Sequence, residues 1–507
     1  MAVAEFVVVL GDSIIMLSDE QVIRLIFGFK VRHLRQTLEF SYQELSKKTG
    51  LSTSYLNDIE KGKRYPKPDK ITSLASALDV DYNYLVSTNA SKKVQPIIDL
   101  LTSKAFRLFP LSDFGISVEK LLELFTQTPN KVNAFISTIF KIARNYQVGE
   151  KQFYLEALRS YQDMKNNHFP ELEQAIVAFK DEYSLESNIN QPSYLEDQLH
   201  EIYDVKVDRK SLSKREGLSH IRSYYNPRSK TLFLQRGLIQ GQENFLLARE
   251  LGFHYLDLEE RPLETTITQV KSFEILLNNY KASHFAAALL MPEKQLVKDI
   301  KDFARENSWR PQKFLSLLDK YNVTAETLLQ RLTNILPHHF GLEDLFFMRL
   351  SGSEDLKSFS MNKDLHLSQL HSPYNNELNE HYCNRWVSIT SIKELRLIKN
   401  LKSKRPIIAD AQISKYWQSD KEYLCISLAT LGFANPLKGA SVTLGLLVNP
   451  HLKSIFHFLS DPELKTKEVH TTCERCGVVD CEARAVPPLV IEAKEQEREI
   501  LEALNQL

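Results

Sequence analysis

Residues 41–62, SYQELSKKTGLSTSYLNDIEKG, decide how the chain begins. Ser41 can open a short helix, Gly50 and Leu51 turn the chain, and Ser52 can open a second helix, because a serine hydroxyl satisfies a free N–H of a helix's first turn. Leu45, Leu51, Leu56 and Ile59 fall on one apolar stripe, which predicts Thr53, Ser54, Tyr55 and Asn57 on the outer face near the start of the second helix. Gln43 in the first helix joins them as a candidate base contact. Arg35, Lys47, Lys48, Lys61, Lys63, Arg64 and Lys67 crowd positive charge around the turn, and Lys61-Gly62-Lys63 lets a phosphate backbone approach. A helix–turn–helix so equipped suits the major groove of double-stranded DNA. A plain bundle with a solvated lysine face would accept acids beside the turn, and the density of bases there disfavours it.

The flanks agree: helices are expected over 22–38, 69–78 and 81–86. Together with Glu44-Leu45, Gly50-Leu51-Ser52 and Ile59-Glu60-Lys61-Gly62, residues 20–88 resemble the five-helix Cro/repressor-type DNA-binding domain. The resemblance implies operator reading by Gln43, Thr53, Ser54, Tyr55 and Asn57, phosphate contacts from Lys61, Lys63 and Arg64, and a homodimer on a two-fold operator.

Lys plus Arg and Asp plus Glu both total 64, so the basic patch is local and the remainder is not a general polyanion binder. A length of 507 residues implies three or four domains. Five cysteines, three of them clustered, fit a reducing compartment better than a disulfide scaffold. The opening MAVAEFVVVLGDSIIML is interrupted by Glu5 and Asp12 and is too short to span a bilayer. It reads as a strand, a disordered extension, or translation from upstream of a natural start at Met16. No other stretch reads as transmembrane, and a cytoplasmic location is expected.

Residues 91–190 read as a helical connector, with apolar positions at Val132, Phe135, Ile139, Ile142 and Tyr146, a helix through Phe153, Ala157 and Tyr161, and another beginning near Pro170. His168 reads as packed or exposed rather than as a ligand. IYDVKV at 202–207 and IRSYYNPRSKTLFL at 221–234 are expected to be strands, the latter a pair turned at Asn226-Pro227. The helix NFLLARELGFHYL follows. A zinc peptidase would place His-Glu-x-x-His there, since residues four apart share a face and two imidazoles can grip one metal while the glutamate activates water. Here those positions are Arg249, Glu250 and Phe253. With NNYKASHFAAALLMPE at 278–293, the region resembles the ImmA/IrrE metallopeptidase-like domain, in which an acid on this second helix completes the metal site. Asn279 and Lys281 stand there instead. The expectation is a retired peptidase fold kept as a core or as a ligand pocket. His254 lies about 100 degrees around the helix from the second ligand position and is expected to pack.

Beyond 340 the pattern is mixed α/β, with DLFFMRLSG, VSITSI, LCISLATL and SVTLGLLVN read as strands. Cys473, Cys476 and Cys481 form C-x2-C-x4-C, and thiolates two residues apart can reach one metal or cluster. His470 would complete a zinc set, Cys383 or Cys425 would supply a fourth thiolate from elsewhere in the fold, and a three-cysteine cluster would leave an open or non-cysteine fourth site. The last stretch, VIEAKEQEREILEALNQL, has Ile491, Ile500, Leu501 and Leu504 amid charge and is expected to be an amphipathic helix against the body or a second subunit.

Cys383 with Trp386, and Cys481 followed by Arg484-Ala485-Val486-Pro487-Pro488, make residues 20–490 similar to the short-chain fatty acyl-CoA regulators. That family includes regulators of glyoxylate-shunt and methylcitrate-cycle genes. The resemblance implies transcription control by a metabolite or redox state, with an acyl-CoA effector. It favours a four-iron (4Fe–4S) cluster on Cys473, Cys476 and Cys481, with zinc as the alternative. His381-Tyr382 replace the glycines usual before Cys-x-x-Trp, and no glycine-rich phosphate loop is evident; Arg222, Arg228 and Lys230 are phosphate candidates by charge only.

The expected architecture is multidomain: an N-terminal extension over 1–18, an all-α helix–turn–helix head over 19–90, the connector over 91–190, an α+β peptidase-like domain over 191–340, a mixed α/β sensor domain over 341–490 and a helix over 491–507. Two alternatives stay open: a peptidase regulator cleaving a partner repressor, and a zinc-held DNA-binding adaptor without sensing.

Overall fold

The computed structural model describes residues 19–88, 95, 98, 150–185, 189–215, 217–265, 270, 272–367, 380–398, 406–431 and 438–505. The expected extension over 1–18 and the apolar positions Val132 to Tyr146 lie outside these. The chain divides into two compact units, the second comprising Gln162–Thr268 and Leu277–Leu507.

The head belongs to the first unit. It contains α1 (Asp19–Thr37), α2 (Tyr42–Thr49), α3 (Thr53–Glu60), α4 (Pro68–Ala77) and α5 (Tyr82–Val86). Ser41 caps α2 in a reciprocal capping box with Glu44, and the Ser52 hydroxyl accepts the Tyr55 N–H at the start of α3. Gly50 ends α2 at φ +71°, a left-handed conformation that costs glycine nothing. Phe27, Val31, Leu45, Leu56, Ile59, Ile71 and Leu74 form the core. The α1–α3 crossing is tight: a Cβ on Gly28 would sit 2.2 Å from the Ile59 carbonyl oxygen.

Helix α6 (Glu150–Met164) contains the expected Phe153, Ala157 and Tyr161. In the second unit, α7 (Pro170–Glu182) and α8 (Pro192–Tyr203) precede a small sheet of β1 (Lys206–Asp208), β2 (Ser223–Asn226) and β3 (Thr231–Leu234) in order β1-β3-β2. The hairpin is where the sequence places it, and Asn226 Oδ1 accepts the Arg228 and Ser229 N–H groups to fasten its turn. IYDVKV corrects the strand expectation in part: Ile202 and Tyr203 finish α8, whose left-handed cap at Asp204 (φ 58°) delays extended backbone to Lys206. Next come α9 (Gln240–Tyr255), α10 (Phe273–Leu290), α11 (Glu293–Ala304), α12 (Pro311–Tyr321) and α13 (Ala325–Phe340). His284 and Arg331, on α10 and α13, converge on Glu173 of α7, at 2.8 Å for the histidine. His168 stacks on His338 with centroids 3.8 Å apart, a packed histidine as expected.

The C-terminal region is a six-stranded sheet in order β5-β4-β8-β7-β6-β9. Its strands are β4 (Leu345–Gly352), β5 (Phe359–His366), β6 (Ile407–Tyr416), β7 (Glu422–Leu431), β8 (Gly439–Leu447) and β9 (Thr466–Val469), with β9 alone parallel to its neighbour. VSITSI is not a strand but the start of α14 (Val387–Leu397), which packs on β7, β8 and β6. Val387, Ser388, Ile389, Ser391, Ile392 and Leu395 are buried, a helical rather than alternating spacing, and the helix-forming Lys393-Glu394-Leu395-Arg396-Leu397 carries the turn forward. Gly439 permits this approach, since a Cβ there would stand 2.4 Å from Ile392 Cγ2. Helix α15 (Pro450–Ile455) leads to the cysteine loop, and α16 (Leu489–Leu504) closes the described chain. No residue of α16 is buried, although its first turn is tied to the body of the chain through the Val490 N–H, which donates to the Glu474 carbonyl at 3.0 Å.

Candidate functional site

Three clusters of side chains are candidates for function, and the first is in the head. Gln43, Thr53 and Ser54 are exposed, as are Lys61, Lys63 and Arg64, so the capped start of α3 and its basic rim are presented together. Tyr55 does not point outward as predicted. Its ring packs at the edge of the head core, with Lys70 Nζ 4.5 Å and the Arg64 guanidinium 5.8 Å from the centroid. Asn57 is half-buried on the same helix, and Arg64 Nε lies 3.3 Å from Asp58 Oδ2. Arg35 is corrected outright. It donates Nε and Nη2 to the two oxygens of buried Glu60 at 2.6 and 2.9 Å, covers the Tyr42 ring at 4.2 Å, and serves the fold instead of phosphates. Lys70 was missed because single-residue reading does not place a lysine over a ring one helix away.

The second cluster lies at the helix positions where a zinc peptidase would carry its ligands. Glu250 is buried, and Arg261 donates to both its oxygens at 2.8 and 2.6 Å. Burial alone would raise the Glu250 carboxyl, but His254 at 3.2 Å and Arg261 outweigh it and hold it below the usual carboxylate range. The Arg261 guanidinium lies 3.8 Å from the Phe253 ring centroid and 4.7 Å from that of Tyr225. The glutamate that would activate water is therefore engaged, and the two flanking ligand positions carry a guanidinium and a phenyl ring. His254 stacks on Tyr203 at 5.0 Å, the packing role expected. Arg261 lies outside any helical periodicity with Glu250, so the sequence offered no signal for it. Of the three cationic phosphate candidates, Lys230 reaches the Tyr203 carbonyl at 3.4 Å and Asp204 at 3.8 Å, Arg222 lies in the field of Glu326, and Arg228 sits exposed on the hairpin turn.

The third cluster is the cysteine loop. Residues 381–383 run antiparallel to 471–473: Cys473 N–H donates to the His381 carbonyl at 2.8 Å, Cys383 N–H to the Thr471 carbonyl at 3.2 Å, and Tyr382 bridges Thr472. This brings Cys383 beside the loop, close enough to feel the charge of Cys473 and Cys476, while Cys476 also feels Cys481. Burial pushes the Cys383 thiol up to about 11, against the opposing backbone N–H groups of His470 and Arg385. Cys476 is likewise raised by burial, against the Val478 N–H. Ala485 N–H reaches Cys473 Sγ at 3.4 Å, and Arg484 donates to the carbonyls of Cys473, Cys476 and Val478, which gives the Arg-Ala-x-Pro-Pro stretch a physical task. Glu380 and Arg475 form a bidentate pair beside the loop. His470 is turned to Trp417, with centroids 5.9 Å apart, and Cys425 is buried in β7. Among the described residues, no three His, Cys, Asp or Glu side chains converge closely enough to hold a metal ion. No described helix is long and apolar enough to cross a membrane.

Comparison with known proteins fits two of these regions. A helix-turn-helix family profile matches residues 31–85, and the IrrE N-terminal-like domain profile matches residues 201–333. The chain is 22% identical over 329 residues to the HTH-type transcriptional regulator RamB of Mycobacterium tuberculosis, in both strain CDC 1551 / Oshkosh and strain ATCC 25618 / H37Rv. That alignment takes in 61% of this chain and 65% of the relative. A solved Mycobacterium tuberculosis transcriptional regulator superposes with a TM-score of 0.46 at 16% identity, over 66% of this chain and 94% of its own. The chain is thus multidomain, with a helical helix–turn–helix head and an IrrE-like domain.

Proposed function

We propose that the protein is a sequence-specific DNA-binding transcriptional regulator, acting in the cytoplasm as a homodimer. The observation that carries this is the exposed, capped start of α3, where Thr53 and Ser54 stand beside Lys61, Lys63 and Arg64 on a head stiffened by the Arg35–Glu60 pair. The matched relatives bear the name of transcriptional regulators, which supports it. The test is binding of the full chain to oligonucleotides selected from a random pool. Asn57→Ala should relax discrimination between sequences, whereas Lys63→Ala should weaken binding to all of them and lower the salt slope by about 1. Equal effects of the two variants on every sequence would sink the assignment.

The C-terminal half is read as the sensing part, for a short-chain acyl-CoA, a redox state or both, and a ligand there would act by its differential affinity for operator-competent and incompetent dimers. A 4Fe–4S cluster, with zinc as the alternative, is read from the family resemblance on Cys473, Cys476 and Cys481, with Cys383 as fourth donor. The four thiols are chemically apt, but among the described residues no three of them converge, so binding would have to draw the loop together. N–H groups aimed at three of them partly oppose the burial that raises the Cys383 and Cys476 thiols. An iron–sulfur cluster would supply an oxygen-sensitive clasp between the 381–383 segment and the loop. The Cys383 contacts favour it over His470 as the fourth donor. Anaerobic purification with iron, sulfide and zinc analysis should find iron and sulfide lost in Cys476→Ser and in Cys383→Ser; zinc alone would make the loop a structural clasp.

A hydrolytic role is not proposed, since Arg249 and Phe253 replace the histidines and Glu250 is spent on Arg261.

A further inference from the structure

The retired peptidase site contains two buried guanidiniums and a single buried carboxylate. Glu250 gives both oxygens to Arg261. Arg249, 7% exposed, has no acid within ion-pairing distance among the described residues. Its guanidinium meets Ser223 Oγ at 3.4 Å and Asn279 Oδ1 at 3.5 Å, both beyond the usual hydrogen-bond range, and its buried Nε has no partner. Burial lowers its proton affinity, from the ordinary guanidinium value to about 10. A charge in this position is costly unless something neutralises it.

The neighbours can contribute to that. Ser223 and Thr265 hydroxyls lie 2.5 Å apart, and Asn279 brings an amide on α10 to the place where the ImmA/IrrE resemblance implies an acid. In a zinc peptidase, neutral imidazoles and a carboxylate surround a cation. Here a cation and neutral donors surround the equivalent space, so the site's preference for charge is inverted. We propose that this site binds a small singly charged oxyanion, a free carboxylate, gripped by Arg249 and donated to by the Asn279 amide and the Ser223 hydroxyl, whose oxygen takes the Thr265 proton. The planar guanidinium matches the two oxygens of a carboxylate, and one negative charge balances the one guanidinium left over, whereas a phosphate dianion would overshoot. The inference rests on the retired-peptidase reading of this domain and is independent of DNA binding, so failure of operator recognition would leave it standing.

The test is thermal melting of the full chain at fixed ionic strength set by a bulky sulfonate, with acetate, propionate or inorganic phosphate titrated in. Acetate and propionate should raise the midpoint progressively, by several degrees near saturation, and phosphate should do so little. Arg249→Met should melt no lower than wild type without acetate and should lose the acetate response. A flat wild-type response, a response to phosphate alone, or a full acetate response in Arg249→Met would each overturn the proposal. Should Arg249→Met fail to fold, calorimetric titration of acetate into Asn279→Ala decides: affinity weakened several-fold is expected, and unchanged affinity overturns it.

Discussion

Arg35 shows how one residue can be misjudged in kind while its helix is read correctly. The run Ile59-Glu60-Lys61-Gly62 marks the head in the sequence, yet it does not say that Glu60 is buried and that Arg35 and Tyr42 both donate to it. Removing one partner of a buried pair leaves the other uncompensated, which costs about 3–5 kcal/mol. Arg35→Ala should therefore unfold the head at markedly lower denaturant, whereas Ser54→Ala should leave its midpoint unchanged; equal midpoints for the two variants would return Arg35 to the phosphate-binding rim. Glu250 offers a pH test. Its folded carboxyl titrates below the unfolded value of about 4.3, so its contribution is fully present above that pH and is lost as pH falls through the lower folded value. In urea unfolding between pH 6 and pH 3, the gap between wild type and Glu250→Gln should narrow below about pH 4. A gap constant with pH would contradict this account of the pair.

At the scale of elements, the legible parts were those whose local chemistry and tertiary setting agree. Ser41 with Glu44, Ser52 and Gly50 set the bounds of α2 and α3, and Asn226 marked the hairpin turn. The failures have physical causes. VSITSI is rich in β-branched residues, but its position after the Cys383–Trp386 turn and its approach to Gly439 make it a helix. That Arg249, Glu250 and Phe253 lie together could be read from their spacing along one helix; Arg261, which pairs with Glu250, arrives from a loop with no period to betray it. Two glycines of the head separate conformation from space. Gly28→Ala drives a Cβ into the Ile59 carbonyl and should cost about 1–3 kcal/mol or more. Gly50→Ala meets nothing within 4 Å but must hold φ near +71°, and should cost about 1–2 kcal/mol. Chemical denaturation of both variants checks the order, and a larger loss for Gly50→Ala would reverse the argument.

At the scale of the whole molecule, no residue of α16 is buried, and Ile500, Leu501 and Leu504 are 61%, 55% and 58% exposed. Deleting residues 489–507 should leave the melting midpoint of the chain nearly unchanged, within about 0.5 kcal/mol of stability. A large drop would place that helix in the fold of the single chain, and light scattering on the same truncation reports whether it joins two copies. The pairing of residues 381–383 with 471–473 has a kinetic consequence. His381 and Glu474 are 93 residues apart along the chain, so the strands and helix between them must be arranged before the two segments can meet. The clasp should thus mature late in refolding, and in pulse-alkylation experiments Cys383 should remain reactive after the Cys425 thiol of β7 has become protected.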